Sequence, residues 1–206
     1  MTPGLAELVD PAHTAIVTQE CQRGVVGDLS ALPELAKAAR PMLANAAALV
    51  SAARAAGARV IHCTALRRAD GLGANRNARI FGYMAKAKNP LLPGSPAAEL
   101  VPEIEVKPSD LMLPRWHGLS PFQGTELDFL LRNLGVRTIV GVGASVNVAI
   151  QSLAFDAVNA SYQVVIPRDA VAGFPPEYVE AVFAHTLGAV ATLVASQELL
   201  AVWRGR

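Results

Sequence analysis

The chain has 206 residues, 52% hydrophobic and 17% charged, enough apolar material for one large core and too little length for two ordinary domains, so residues 1–206 read as one domain. A formal net charge of +1, with both signs scattered, argues against nucleic acid or an anionic membrane as a partner and for a small molecule. The two cysteines, Cys21 and Cys63, lie near the ends of expected core strands and read as buried thiols rather than a disulfide framework.

The opening residues, MTPGLAELVDPAH, hold no basic stretch or long apolar run, so no signal peptide is expected and the protein reads as cytoplasmic. A first β-like run, 14–18, ends in the polar cluster Thr18-Gln19-Glu20-Cys21-Gln22-Arg23-Gly24. Residues 30–57 form an alanine- and leucine-rich helical stretch that Pro41 is expected to divide. A second run, 59–64, leads into 67–108, which has no clear period and carries Arg67, Arg68, Arg76, Arg79, Lys86 and Lys88 against Asp70 alone before Pro93. Such a segment is functional or an excursion: either a solvated or dimer-contact arm, or a basic lid over an anionic substrate. A third run, 110–113, precedes Arg115, and TELDFLLRNLG at 125–135 is a helix closed by glycine. The fourth run, 138–142, meets Gly143, a polar turn with Ser145 and Asn147, and another helix; the fifth and sixth are 163–167 and 191–195. Region 179–203 is apolar but contains Glu180, His185, Gln197 and Glu198 and divides into helix, strand and helix, so no membrane span is expected. Alternating strands and helices predict an α/β fold with a parallel sheet covered on both faces.

In doubly wound sheets ligands sit beyond the carboxyl ends of the strands. Glu20 therefore faces the expected crevice and is the lead acid/base, although a carboxylate there can equally pair with an arginine or cap a loop. Arg115 leaves the third strand on the same edge, where a guanidinium suits bidentate contact with an anion or a structural ion pair. His117 is a candidate proton carrier or a hydrogen-bonded structural histidine. The helix after Gly143 opens with N–H groups that lack internal partners and favour negative charge. His13, His62, His117 and His185 are widely separated, so no metal site is expected. Gly141 and Gly143 form a lone G-x-G, so no dinucleotide, and no other cofactor, is expected.

Glu20-Cys21-Gln22 after a strand, Ser120-Pro121-Phe122 followed by Gly124-Thr125-Glu126-Leu127, then Leu134-Gly135-Val136, and Gly143 through Asp156-Ala157 occur in an order that resembles the isochorismatase-like hydrolase superfamily over roughly residues 14–200. Amidases of that superfamily use an Asp, a Lys and a Cys nucleophile. The resemblance puts Glu20 at the Asp position. At the Lys position it puts Trp116 without a gap, or Arg115 with a one-residue insertion; Arg115 is favoured because a Trp follows it. The Cys position falls on Ala149, and a methyl group cannot form a thioester. Covalent catalysis needs an activated thiolate, and Cys21, adjacent to Glu20 on a strand, should point to the opposite face. Ser145 and Ser152 lie nearby with no identified base. Zinc-binding members carry an Asp-x-His that has no counterpart in His62-Cys63-Thr64-Ala65-Leu66-Arg67-Arg68.

The resemblance further implies a three-layer α/β/α, Rossmann-like isochorismatase fold with a six-stranded parallel sheet in order 3-2-1-4-5-6, and a homodimer or higher homo-oligomer. It implies a cis peptide at Ala144–Ser145, with the N–H groups of Ser145 and Ala149 at an oxyanion position. Isochorismatases lack the nucleophile and protonate a vinyl ether, which requires a neutral carboxyl that burial favours and a neighbouring guanidinium opposes. The expected function is hydrolysis of a C–N or vinyl-ether type bond in a small polar or anionic metabolite without a cysteine nucleophile. The alternative is an inactive relative that binds a small ligand or regulates. Gln22, His117, Phe122, Ser145 and Asn147 are the expected substrate-binding residues.

Overall fold

A computed structural model of the chain describes residues 4–205. Residues 1–3, the start of the stretch read for a leader, and residue 206 lie outside the described residues. In chain order the elements are α1 (Leu5–Leu8), β1 (Thr14–Gln19), α2 (Pro33–Ala55), β2 (Arg59–Ala65), α3 (Arg79–Met84), β3 (Leu111–Arg115), α4 (Leu127–Asn133), β4 (Thr138–Ala144), α5 (Ala149–Asn159), β5 (Gln163–Pro167), β6 (Val171–Ala172), α6 (Pro176–Val182), α7 (Gly188–Val190), β7 (Thr192–Val194) and α8 (Ser196–Arg204). A π-helical stretch, Phe183–Leu187, joins α6 to α7.

All strand pairs are parallel, in the order β3-β2-β1-β4-β5-β7. The six strands read from the sequence thus follow the expected order. The short β6 is an addition: β5 stays beside β4 only as far as Val140, and β6 takes its place at Gly143 and Ala144. Central β1 and β4 are buried along their whole length, which is why their sequences read as continuous apolar runs. Side chains alternate across the sheet. Ile16, Val140 and Val165 pack with Met42, Leu49 and Leu199 under α2 and α8. Val17, Ile139 and Ile166 pack with Leu131, Ile150 and Leu153 under α4 and α5.

Several strand ends shift by one or two residues from the sequence reading, and two further details differ from it, at Pro41 and at the start of β3. Pro41 does not divide the helical stretch, since α2 runs through it as one helix. Proline removes one N–H and crowds the carbonyl four residues earlier; both Pro41 and Lys37 are exposed, so water can satisfy that carbonyl. Strand β3 begins at Leu111 and includes Arg115, because Asp110 is occupied as a buried acceptor. Its carboxylate takes bonds from Arg54 at 2.7 Å, from the Lys107 N–H at 2.8 Å and from His62 at 3.3 Å. Region 179–203 forms the end of α6, the π-helical stretch, α7, β7 and most of α8, and no described helix is long and apolar enough to cross a membrane.

Candidate active site

The carboxyl ends of β1, β3 and β4 meet because the strands are in register there: Gln19 lies beside both Cys63 and Gly143, and Ala65 beside Arg115. Glu20 follows β1 directly. Its φ of 50° turns the chain out of the sheet, and its N–H donates to the Cys63 carbonyl at 2.9 Å. The Glu20 carboxylate accepts from Gln19 Nε2 at 3.0 Å and forms an ion pair with Arg115. The side chains of this pair are only 17% and 8% exposed, respectively. Arg115 also donates to the Gly118 carbonyl at 2.8 Å, so its guanidinium is fixed on two sides.

Glycine is required at 143. Its φ is 112°, and a Cβ there would lie 2.9 Å from Cys21 Sγ and closer still to the Gln19 carbonyl oxygen. This close approach brings the turn after β4 against Glu20. The Ala144–Ser145 peptide is cis. Ala149 is the first residue of α5, so its N–H has no acceptor within the helix.

Glu20, Arg115, Ser145 and Ala149 line one cavity of about 630 Å³. The outer wall comes from the aperiodic 67–91 segment, including α3. Tyr83 Oη donates to the Ala31 carbonyl at 2.9 Å, Asn89 to the Leu29 carbonyl at 3.3 Å, and Asn75 Oδ1 accepts from the Gly118 N–H at 2.8 Å. The segment is thereby tied to the loops that follow β1 and β3.

Of the residues singled out from sequence, Glu20, Arg115, His117, Ser145 and Ala149 line the cavity. Trp116 lines it too, but Arg115 is the residue paired with Glu20. Gln22, Phe122 and Asn147 do not line it. Both ends of the Gln22 amide are used on backbone: Oε1 accepts from Ala65 N at 2.7 Å, and Nε2 donates to the Ala65 and Ala98 carbonyls at 3.0 Å. Phe122 packs toward the α4–α5 core, its ring centroid 6.1 Å from that of Tyr162. Asn147 pairs with the Phe174 backbone, accepting from N at 2.9 Å and donating to O at 2.5 Å, which fastens the β4–α5 turn to the chain after β6. The sequence reading missed the apolar lining, Val25, Leu35, Leu91, Ile80, Phe81 and Met84. Its one signal was Ile80 and Met84, a helical turn apart inside a basic segment.

Cys21 and Cys63 are buried and unpaired with each other, and neither lines the cavity. Burial pushes both thiols up to about 12, with the Glu20 charge adding to the shift at Cys21. Among the described residues no group of three His, Cys, Asp or Glu side chains is placed to hold a metal ion.

Residues 14–198 match the isochorismatase domain. The ureidoacrylate amidohydrolase RutB of Agrobacterium fabrum is 28% identical over 186 residues, covering 82% of this chain and 80% of that protein. A cysteine hydrolase from Pseudomonas syringae pv. phaseolicola superposes with a TM-score of 0.81 at 22% identity, over 100% of this chain and 99% of the other. The N-carbamoylsarcosine amidase of Thermoplasma acidophilum gives 0.71 at 26% identity, over 89% and 96%.

Proposed function

The chain belongs to the isochorismatase family, and on that premise we propose that it hydrolyses a C–N or vinyl-ether type bond in a small polar or anionic metabolite, without a cysteine nucleophile. The observation that carries the reading is the Glu20–Arg115 ion pair in a cavity that no thiol lines. A salt-bridged Glu20 is a carboxylate, the form that accepts a proton, and this favours the C–N bond of the two. In that reaction water adds to the carbonyl carbon while Glu20 takes its proton. The new C–O bond forms, the C–N bond breaks, and the proton passes from Glu20 to the leaving nitrogen. Charge on the carbonyl oxygen would meet the N–H groups of Ala149 and Ser145, and Arg115 would keep Glu20 oriented. The names amidohydrolase and amidase on two relatives support the same bond type.

One observation favours a second reading. Ala149, at the position the resemblance assigns to the family's amidase nucleophile, carries only a methyl group in the cavity lining, as would suit a protein that retains the cavity to bind a ligand. A panel of amides, carbamates and vinyl ethers, run with wild type and Glu20→Gln, separates the two. Turnover that falls ~10²-fold or more in Glu20→Gln supports the hydrolase; a panel without Glu20-dependent turnover leaves the binding protein.

A further inference from the structure

We propose that the cavity takes an amphiphilic acid, a carboxylate joined to an apolar body several carbons long. The inference rests on the hydrolase reading for where reaction would occur, and the cavity walls supply the binding chemistry. Val25, Leu35 and Leu91 present an apolar surface embedded in the surrounding protein, and Ile80, Phe81 and Met84 face the same space from the outer wall. A volume of about 630 Å³ lies in the range that encloses whole metabolites and exceeds what a few-atom polar ligand fills. Water gains little from such walls, so apolar ligand surface is favoured there.

The charges on the same lining do not balance. Glu20 is engaged by Arg115, and Asp70 by Arg68. Arg67 donates to the carbonyl oxygens of Met84 and Ala85 at the end of α3. Arg76 and Lys86 also line the cavity, and neither forms an ion pair or a side-chain hydrogen bond among the described residues. A ligand anion supplies the missing partner, a neutral amide does not, and an ammonium is repelled. The acid group then sits at the outer wall, the apolar body lies along the apolar lining, and in a substrate the bond to be cleaved is carried at its far end, beside Glu20.

Calorimetric titration of the full chain with straight-chain carboxylates from acetate to decanoate, and with the amide and amine of each length, tests this. Affinity should rise about threefold to fourfold per methylene until the cavity is full. Acids should bind about threefold to fivefold tighter than amides of equal length, since the two cations are exposed. Arg76→Gln combined with Lys86→Gln, both at exposed positions, should narrow the acid–amide gap and leave the dependence on length. Phe81→Ser should flatten that dependence and leave the gap. No binding by any acid, equal affinity across lengths, or equal affinity for acid and amide overturns the proposal. The expected binding pattern without Glu20-dependent turnover overturns the hydrolase reading alone, and Glu20-dependent turnover without the pattern overturns this proposal alone.

Discussion

Glu20 holds a φ of 50°, a left-handed conformation that costs a non-glycine residue ~1 kcal/mol or more. The N–H bond to Cys63 and the ion pair to Arg115 hold it there. Gly143 opposite is less tolerant still. Gly143→Ala should cost ~2 kcal/mol or more, from positive φ and from contact with Cys21 and the Gln19 carbonyl together, read as a lower urea midpoint with unchanged slope. The cysteines give a chemical test. With both thiols near 12, roughly one in ten thousand is ionised at pH 8. Native protein should therefore resist iodoacetamide over hours and both cysteines should react once it is unfolded; rapid native alkylation would show a thiolate at the surface. At this scale the sequence placed Glu20 and Arg115 on one edge of the sheet, and the two are paired there in the cavity. The sequence was misleading for Gln22 and Asn147, because a polar side chain beside a site looks the same in sequence whether it meets ligand or backbone.

Asp110 joins three elements at the edge of the sheet opposite the site. Its side chain is 1% exposed and binds Arg54 at the end of α2 and His62 on β2, whose other ring nitrogen lies 2.8 Å from Thr18 Oγ1 on β1. Burial pushes this carboxyl up, but the bonds from Arg54, the Lys107 N–H and His62 outweigh it and hold it at about 2, against 3.8 when unfolded. The unfolded chain thus takes up the proton first as pH falls. The stabilisation, roughly 2 kcal/mol, is complete above 3.8 and is lost as pH drops through about 2. Burial, opposed by Asp110, lowers His62 below its usual 6.5, so the fold keeps it neutral and stability also declines as pH falls below that value. Urea unfolding of wild type and Asp110→Asn between pH 2 and 6 should show a stability gap that narrows below pH 4; a constant gap would mean the carboxylate charge contributes nothing. Asp110→Ala, which removes the buried carboxylate shared by Arg54, the Lys107 N–H and His62, should cost ~3–5 kcal/mol. Sequence alone made Asp110 the start of a strand, because its partners lie 56 and 48 residues away. Pro41 misled in the opposite sense: solvent on one side of α2 removes the penalty that would have broken it.

The alternation of strands and helices was readable because central β1 and β4 are buried along their whole length and leave continuous apolar runs, with helical periods between the strands; the sheet order came from the family resemblance. The cavity was half readable. Its floor comes from strand ends, which topology places on one edge; its outer wall comes from residues 67–91, whose structure is set by bonds to Leu29, Ala31 and Gly118 rather than by any local period. The molecule keeps the family scaffold around a cavity lined by a carboxylate and a guanidinium, with neither cysteine in its lining, and the hydrolysis proposed for it is accordingly non-covalent. Intact-mass spectrometry of enzyme quenched in acid during steady-state turnover, on whichever substrate the amide, carbamate and vinyl-ether panel yields, tests that claim most directly. The account predicts the mass of the unmodified chain at every time point, whereas a substrate-derived adduct on a cysteine or serine would contradict it.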